Sequence, residues 1–232
     1  MKYKNIVKGI FKSRPNRFIA QVEVGGRLET VHVKNTGRCR ELLRENATVY
    51  LEKSSNPNRK TAFDLVAVEK VREGKEKLLV NMDSQIPNDV AFEWLKGENP
   101  LFSRNAKIKR EVIFGDSRFD LYLEDGERKA FVEVKGVTLE LDGLALFPDA
   151  PTERGVKHIN ELIKAKEAGY EAYILFVIQM KEIHTFSPHK EMHKDFAEAL
   201  KNAYNKGVRV IAMDCVVTPE SMNIDKEVAV VL

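Results

Sequence analysis

The sequence predicts a protein of the α/β class, α+β overall, in which an all-β part is followed by a part that alternates helices and strands. Short alternating or apolar runs typical of strands fill the chain up to about Val80, and helix and strand patterns alternate from Asp89 onward. In addition, 232 residues with 43% hydrophobic side chains can bury one large core or two modest ones.

The N-terminal part contains five predicted strands and one short helix. The strands cover residues 6–11, 18–24, 28–33, 48–53 and 63–71, and the helix covers residues 39–43. Between Asp83 and Asn105 the chain is interrupted by Pro87, Gly97 and Pro100, which favours a domain boundary. We therefore predict two domains, at residues 1–84 and 85–232.

Residues 117–136, SRFDLYLEDGERKAFVEVKG, have the pattern of a β-hairpin. Two alternating runs flank Asp125-Gly126, and an Asp-Gly turn between alternating segments is a strong short-range hairpin signal. If Glu124 pairs with Glu127 across this turn, one face of the hairpin is wholly apolar and packs on the core. That face carries Phe119 opposite Val132, Leu121 opposite Ala130, and also Leu123 and Val134.

The other face of the predicted hairpin carries the charged side chains of Asp120, Glu133 and Lys135. The same register places Asp120 opposite Phe131 with Glu133 diagonal to it, and diagonal neighbours lie roughly 7 Å apart at the backbone. Two carboxylates in this arrangement can share one hard cation. Charged alternation is also typical of the solvent-exposed side of an antiparallel hairpin, so the pattern alone leaves both interpretations open.

A helix and a buried strand follow the hairpin. Apolar residues recur at helical spacing until the segment closes at Gly169, and residues 173–178 form a continuous apolar run typical of a strand buried on both faces. The helical positions are Val156, Ile159, Leu162, Ile163 and Ala165. Hairpin, helix and strand predict a βαβ-type unit, and a divalent metal would explain charges on its inner strand.

These residues resemble the PD-(D/E)XK nuclease core, in which an acidic residue on one strand precedes Glu-x-Lys on its neighbour, with Phe119 in place of the family's proline. A longer string, FPDAPTERGVKH at residues 147–158, is similar to the signature of the sugar fermentation stimulation protein A (SfsA) family. Blocks similar to that family extend over nearly the whole chain: residues 35–38, 41–43, 117–120, 133–139 and 186–188.

The resemblance implies an N-terminal OB-like β-barrel, a C-terminal PD-(D/E)XK nuclease-like domain, and DNA as the ligand. Two functions are compatible with it. One is a metal-dependent nuclease that hydrolyses phosphodiester bonds with Mg²⁺ or Mn²⁺. The other is a non-catalytic DNA-binding transcriptional regulator of sugar metabolism genes that retains the nuclease fold. RNA remains a candidate ligand, because an OB-like face does not by itself distinguish the two sugars.

The resemblance also implies roles for the charged residues. Asp120 and Glu133 are expected to bind the metal, since hard cations take oxygen donors. Lys135 is expected beside the attacking water, where it orients or deprotonates the water or neutralises charge in the transition state. Glu111 matches the extra acidic residue that this nuclease class often supplies before the hairpin, although an ordinary strand-edge glutamate fits its position equally well.

Several basic residues are candidates for binding nucleic acid. Residues 149–158 resemble a loop that leads into a helix N-terminus, where free N–H groups favour an anion. Alternatively, Thr152 simply caps that helix and His158 lies on the surface. Arg118 could bind a phosphate or pair with Glu133. The full set is Arg38, Arg59, Lys60, Arg118, Arg154, Lys157 and His158.

Composition adds weaker indications. The net charge of +3 is only mildly basic, so nucleic-acid contact depends on where basic residues cluster. The two cysteines lack metal-ligand spacing and favour a reduced cytoplasmic setting, and no segment approaches the ~20 apolar residues of a membrane span. Aromatic residues that could stack on bases, although each is also a typical core residue, are Phe11, Phe18, Tyr50 and Phe63.

The C-terminal region leaves two questions open. His189 and His193 would share a helical face if Ser187 caps a helix with Pro188 at its first position, yet no acidic partner completes a zinc pattern. That helix would bury a stripe formed by Met192, Phe196, Leu200 and Ala203. Residues 227–232 form an apolar run that could pair with a second copy in a homodimer or complete the chain's own sheet.

Overall fold

The N-terminal part of the computed structural model is a β-barrel, and the structure describes residues 1–35, 37–97 and 99–232. Its strands are β1 (Ile6–Asn16), β2 (Ile19–Val24), β3 (Arg27–Val33), β4 (Thr48–Lys53), β5 (Phe63–Lys70) and β6 (Leu78–Asn81). They pair in the order β3-β2-β1-β4-β5-β6, and a parallel pairing of β3 with β5 closes five of them into a barrel. Alternate side chains point inward and form an apolar core that includes Ala20, Val22, Val31, Val49 and Leu51.

The helix predicted at residues 39–43 is wrong, because this segment forms a single turn. Cys39 has a left-handed backbone, with φ of 44°, which is incompatible with the regular start of a helix. The N–H of Leu43 donates to the carbonyl of Cys39 at 2.9 Å, and both residues are buried. The apolar spacing that resembled a helix therefore comes from one turn that packs on the barrel.

The C-terminal part is a mixed nine-stranded sheet with helices on both faces. The helices are α1 (Ile86–Lys96), α2 (Glu153–Glu167) and α3 (Lys194–Asn205). The strands are β7 (Lys107–Phe114), β8 (Ser117–Asp125), β9 (Arg128–Val137), β10 (Leu139–Leu141), β11 (Leu144–Phe147), β12 (Glu171–Ile178), β13 (Thr185–Pro188), β14 (Arg209–Thr218) and β15 (Ser221–Val230). Their order across the sheet is β10-β11-β13-β15-β14-β12-β9-β8-β7.

Each face of this sheet has its own apolar cluster. On the face covered by α1, Leu121 and Val132 pack with Val90. On the face covered by α2 and α3, Phe131 packs with Leu162. These are called the α1 face and the α2 face below. Among the described residues, no helix is long and apolar enough to cross a membrane.

The predicted helix and buried strand are confirmed as α2 and β12. The hydroxyl of Thr152 caps α2 by accepting the N–H of Gly155 at 3.1 Å, which leaves the helix start well defined. Four of the five apolar positions predicted for this helix are buried, and Val156 is partly buried against the core. The four are Ile159, Leu162, Ile163 and Ala165. Strand β12 pairs in parallel with both β9 and β14, and its side chains are buried in the apolar clusters on both faces of the sheet.

The helix predicted to begin at Ser187 and Pro188 is wrong. Residues 185–188 form β13, which pairs in parallel with β11 and β15, and α3 begins only at Lys194. His189 and His193 therefore do not share a helical face, and Met192 is partly exposed instead of buried. The pairing of residues 185–188 with β11 and β15 outweighs the local sequence signal for a helix start at Ser187 and Pro188. The remaining predicted positions are buried on α3: Phe196, Leu200 and Ala203.

The C-terminal apolar run completes the chain's own sheet. Strand β15 lies between β14, to which it is antiparallel, and β13, to which it is parallel. Both edges of β15 are thus used within the chain. A homodimer stays a prediction, but strand β15 is already paired within the chain and does not offer a free edge to a second copy.

A buried hydrogen-bond network joins the two parts of the chain at the end of β12. Nε2 of Gln179 donates to the carbonyl oxygens of Asn81 and Asp83, each at 3.1 Å, and the N–H of Asn81 donates back to the carbonyl of Gln179 at 2.9 Å. Gly136 lies against this network, since a Cβ there would be 2.5 Å from Oε1 of Gln179 and 2.7 Å from Cγ of Pro87. Only glycine permits this close approach.

Replacing Gly136 should therefore weaken the junction. We expect Gly136→Ala to lower the free energy of unfolding by roughly 1–3 kcal/mol, because the added methyl must displace Gln179 or Pro87. Urea unfolding measures the difference. Gly97→Ala is the control, since φ is −86° there and a Cβ would approach no atom closer than 3.5 Å; its effect should stay within about 0.5 kcal/mol. Equal stability of both variants and the wild type would contradict the role assigned to Gly136.

Candidate functional site

The predicted hairpin is present as β8 and β9, but its register differs from the expected one by two residues. The turn falls one residue later than expected, because Gly126 occupies its first position with a left-handed φ of 64°. Tyr122, not Asp120, therefore lies opposite Phe131. A shift of two residues leaves the alternation of the two faces unchanged.

Strand β8 changes sides at Phe119 and Asp120. Strict alternation would place Phe119 on the α1 face, as the sequence predicted. The ring of Phe119 instead packs on the α2 face, with centroids 5.2 Å from Phe131 and 6.4 Å from His158. The reason is a distortion in the neighbouring strand: Glu111 has a φ of 55°, and the β7–β8 ladder skips the pair that it would form with Asp120. The predicted apolar surface is therefore wrong at Phe119.

The side chain of Asp120 fills the gap where β8 and β9 separate. The regular ladder between these strands ends at Leu121. Beyond that point, Oδ2 of Asp120 accepts the backbone N–H of Val134 at 2.7 Å, and Oδ1 accepts Nδ2 of Asn88 at 2.9 Å. Asp120 thus links α1 to β9 and holds its carboxylate at the end of the hairpin.

Glu133 lies in the same region of β9 and is only 1% exposed. Its Oε1 accepts a hydrogen bond from Nζ of Lys135 at 2.6 Å and another from Nδ1 of His158. An ionised carboxylate can only accept, so the ring proton of His158 is on Nδ1, and Nε2 is left to accept Nε of Arg154 at 3.3 Å. Oε2 of Glu133 is buried and has no hydrogen-bond partner among the described residues.

The two carboxylates have pKa values shifted in opposite directions. Burial, together with the charge of Glu133, raises the pKa of Asp120 to about 6. Burial also acts to raise the pKa of Glu133, but the hydrogen bond from His158 and the charge of Lys135 hold that pKa below its ordinary value. Glu133 is therefore the ionised member of the pair, and its charge opposes ionisation of Asp120.

The donor set fits a divalent cation held by two carboxylates. A buried carboxylate oxygen without a partner, such as Oε2 of Glu133, is costly, and a cation would satisfy it. A cation would also relieve the repulsion that raises the pKa of Asp120. In the described part of the chain, no group of three or more His, Cys, Asp or Glu side chains could hold a metal. Magnesium tolerates such a sparse site, since it usually keeps several waters and binds one or two carboxylates.

Glu111 and Arg118 lie outside this cluster. Their side chains are 64% and 56% exposed and pair with each other at 3.4 Å between Oε2 and Nη1. Arg118 therefore does not pair with Glu133, whose partners are Lys135 and His158. The catalytic role of Glu111 and the phosphate role of Arg118 stay predictions.

The basic residues of α2 divide into exposed and buried ones. Arg154 and Lys157 are exposed, whereas His158 is buried against Glu133, so the alternative that placed His158 on the surface is wrong. Binding of nucleic acid by these three residues stays a prediction. His158 faces inward because its position on the helix lies beside the buried Ile159 and Leu162. It is available to orient Glu133 rather than to meet solvent.

The basic residues of the barrel also differ from one another. Both terminal nitrogens of Arg59 bind the carboxylate of Asp64, at 2.6 and 2.7 Å, so this charge is already compensated inside the protein. Lys60 and Arg38 are exposed. The family-like block at residues 35–38 includes Thr36, which lies outside the described residues. Binding of nucleic acid by Arg38, Arg59 and Lys60 stays a prediction.

Comparisons with known proteins agree with this architecture. Residues 13–78 match the profile described as SfsA N-terminal OB domain, and residues 85–221 match the profile described as sugar fermentation stimulation protein RE domain. The second match covers more than half of the chain. The chain belongs to the SfsA family.

Similar members of the SfsA family align over essentially the whole chain. Sugar fermentation stimulation protein homologs from Desulfitobacterium hafniense (strain Y51) and Clostridium beijerinckii are 57% and 53% identical, over 96% and 100% of this chain and 94% and 100% of their own. The structure of Pyrococcus furiosus SfsA in complex with Ca²⁺ matches with a TM-score of 0.80 at 29% identity, covering 100% of this chain and 98% of that one.

The sequence did not reveal two polar side chains that make long-range hydrogen bonds, Asn88 in the candidate site and Arg14 in the barrel. Asn88 positions Asp120 from the first turns of α1, and the only sequence signal is that it follows Pro87 at a helix start. Arg14 donates from Nη1 and Nη2 to four backbone carbonyls around the loop that follows β3. Long-range hydrogen bonds of this kind leave no local pattern in a sequence.

The raised pKa of Asp120 predicts a specific pH dependence in metal-free protein. Between about pH 4 and pH 6 the folded protein holds a proton on Asp120 that the unfolded chain has released, so the free energy of unfolding falls as pH rises through this window. We expect Asp120→Asn to remove the fall and to be more stable at pH 7, by on the order of 3 kcal/mol at most. The new amide can still accept from Val134, and Asn88 can flip to face it.

Urea unfolding in EDTA at pH 4.5 and pH 7.5 measures this effect in both proteins. Saturating Mn²⁺ should restore much of the wild-type stability at pH 7.5 and leave the variant almost unchanged, since ligand binding stabilises only the protein that binds. A wild type as stable as Asp120→Asn at both pH values would show that Asp120 is not strained in the folded state.

Proposed function

We propose that this protein is a divalent-metal-dependent nuclease that hydrolyses phosphodiester bonds in DNA. The single observation that carries the proposal is the buried, unpartnered Oε2 of Glu133 beside Asp120 and Lys135. Two acidic groups and one ammonium in this arrangement are the donor set that phosphodiester hydrolysis with a hard metal requires.

Asp120 and Glu133 would hold the metal, which when bound polarises the phosphate and lowers the pKa of the attacking water. His158 and Lys135 fix the direction of the Glu133 carboxylate by binding Oε1, which leaves Oε2 free. Asn88 and the N–H of Val134 fix Asp120 in the same way. The ammonium of Lys135 is only partly buried and can also neutralise charge on the phosphate.

Two further observations support this proposal. The related SfsA from Pyrococcus furiosus was solved in complex with Ca²⁺, another hard cation that takes oxygen ligands. The barrel belongs to the OB class, which binds oligonucleotides. We place the activity in the cytoplasm, since both cysteines are free and buried, as is usual in a reducing compartment.

One observation favours an alternative, a non-catalytic DNA-binding regulator that retains the fold. The charge of Glu133 is already compensated by Lys135 and hydrogen-bonded by His158 without a metal. Lys135, if held permanently in that ion pair, would serve stability instead of catalysis. The two functions differ in whether the protein cleaves DNA in the presence of a divalent metal.

A cleavage assay separates them. Labelled single-stranded, duplex and branched DNA, and a single-stranded RNA, are incubated with Mg²⁺ or Mn²⁺. We expect Glu133→Gln and Lys135→Ala each to reduce cleavage by at least about a hundredfold, because each removes a charge needed in the transition state. The matched controls are Glu127→Gln and Lys129→Ala, which change the same residue types at exposed positions of the same hairpin.

The controls should cleave like the wild type, and circular dichroism should show that all four variants are folded. Tight DNA binding without cleavage by any preparation would favour the regulator. If Lys135→Ala still cleaves DNA and Glu133→Gln does not, the metal site is supported and Lys135 has no part in catalysis.

A further inference from the structure

A cavity lined by arginines lies at one rim of the barrel, apart from the carboxylate cluster. Its volume is about 290 Å³, and it is lined by the tip of the β1–β2 hairpin and by the loop that follows β3. Four of its lining residues are arginines, and none of the described lining residues is acidic. The arginines are Arg14, Arg17, Arg38 and Arg40.

Arg14 builds the cavity wall. Its guanidinium donates to the carbonyl oxygens of Gly37 and Arg38, each at 2.8 Å, and to those of Arg17 and Asn35, at 2.7 and 2.6 Å. One side chain thereby ties the hairpin tip to the loop and fixes the backbone from which the other three arginines project. The Nε of Arg14 is buried and has no partner in the described structure.

The three projecting arginines are available to an anion. Arg17, Arg38 and Arg40 are exposed, and none of them pairs with a carboxylate in the described part of the chain. Arg59, by contrast, is fully engaged by Asp64. A cluster of uncompensated guanidinium groups on a fixed backbone is suited to successive phosphates, which arginine binds in a bidentate manner.

The residue that follows Arg17 in the chain, Phe18, has an exposed aromatic ring. Phe18 is 51% exposed, although most other aromatic side chains of the barrel are buried or partly buried. Its backbone is held rigidly, since its N–H donates to Oδ1 of Asn16 at 2.9 Å and its carbonyl accepts the N–H of Val33 at 2.8 Å. An exposed ring costs stability in water, and beside phosphate-binding groups it offers a surface on which a base can stack.

Further cavities lead from this rim toward the carboxylates. A cavity of about 470 Å³ shares Arg38 and Arg40 with the first and reaches Leu139 and Asp149. A smaller one of about 120 Å³ shares Leu139 and Asp149 and ends at Gly136, the residue after Lys135. These clefts therefore connect the arginine cavity with the part of β9 that follows Lys135.

We propose that Phe18, Arg17, Arg38 and Arg40 form a binding site for single-stranded nucleic acid, whose strand continues along these clefts to Asp120 and Glu133. Bases stack on Phe18 while the arginines contact the phosphates, which is the recurring mode of single-strand recognition. A duplex cannot present an unstacked base to the ring. The assignment of the substrate as a single strand rests on the proposed nuclease function, whereas the binding site itself does not.

Binding is tested in EDTA, so that cleavage does not interfere. Fluorescence anisotropy follows a labelled single strand of about 12 nucleotides, which suits the ~4–16 nucleotides covered by one OB fold. We expect Phe18→Ala to weaken binding about tenfold through lost stacking. The triple variant Arg17→Ala, Arg38→Ala, Arg40→Ala should reduce the slope of log affinity against log salt by about 2, since each phosphate contact contributes about 0.7.

The barrel offers matched controls at the opposite end of β2. Leu28 is 64% exposed and Arg27 is exposed beside it, so Leu28→Ala and Arg27→Ala remove an apolar and a basic side chain without touching the cavity. Both should bind within twofold of the wild type. Equal losses in the controls and in the cavity variants, or no loss in Phe18→Ala, would overturn the proposal. Equally tight binding of a duplex through the same residues would also overturn it.

A comparison with cleavage separates this inference from the nuclease proposal. If binding depends on Phe18 and the arginines but no metal supports cleavage, the binding site is supported and the nuclease proposal is contradicted. If cleavage depends on metal but binding is unchanged in the Phe18 and arginine variants, the nuclease proposal is supported and the binding site is contradicted. A ribo-oligonucleotide of the same sequence shows which sugar the site prefers.

Discussion

The carboxylate of Glu133 is buried on β9, the third strand from one edge of the nine-stranded sheet, and the surrounding elements compensate its charge. Helix α2 brings His158 to Oε1, and β9 itself brings Lys135 to the same atom. A buried, unpaired carboxylate would cost several kcal/mol, so the position of α2 on the sheet is coupled to this contact. The free Oε2 then follows from geometry, because both compensating groups approach from one side.

A local break in β-structure provides room for the second carboxylate. Where the β8–β9 ladder ends, the backbone N–H of Val134 would lack a partner, and Asp120 supplies one. The same break turns Phe119 toward the α2 face, where its ring packs beside His158. Strain at Glu111 in the neighbouring strand is thus linked to the placement of both acidic groups.

The barrel and the sheet form a continuous structure across the clefts between them. Gln179 and Gly136 close one end, and Arg14 holds the loop at the other. Because these contacts are backbone hydrogen bonds and close packing, they set the relative positions of arginine cavity and carboxylates with little freedom.

Local patterns determined the classes of the elements and the composition of the site. Alternation in residues 117–136 was sufficient to predict the hairpin and the shared face of Glu133 and Lys135, because a register error of two residues preserves alternation. It did not predict the change of sides at Phe119 and Asp120. The spacing in α2 and the apolar run of β12 were sufficient for that helix and strand, since both bury what their pattern shows.

Tertiary structure alone decided the reversal at Phe119, the strand at residues 185–188 and the burial of His158. Each depends on a partner distant in the sequence: Glu111 in the next strand, β11 and β15 beside β13, and Glu133 beneath α2. The sequence by itself therefore determined the hairpin that carries Asp120, Glu133 and Lys135. Only the packing of elements that are distant in the sequence decided that Oε1 of Glu133 is hydrogen-bonded and Oε2 is not. Burial and long-range hydrogen bonds act between residues that no local sequence pattern relates.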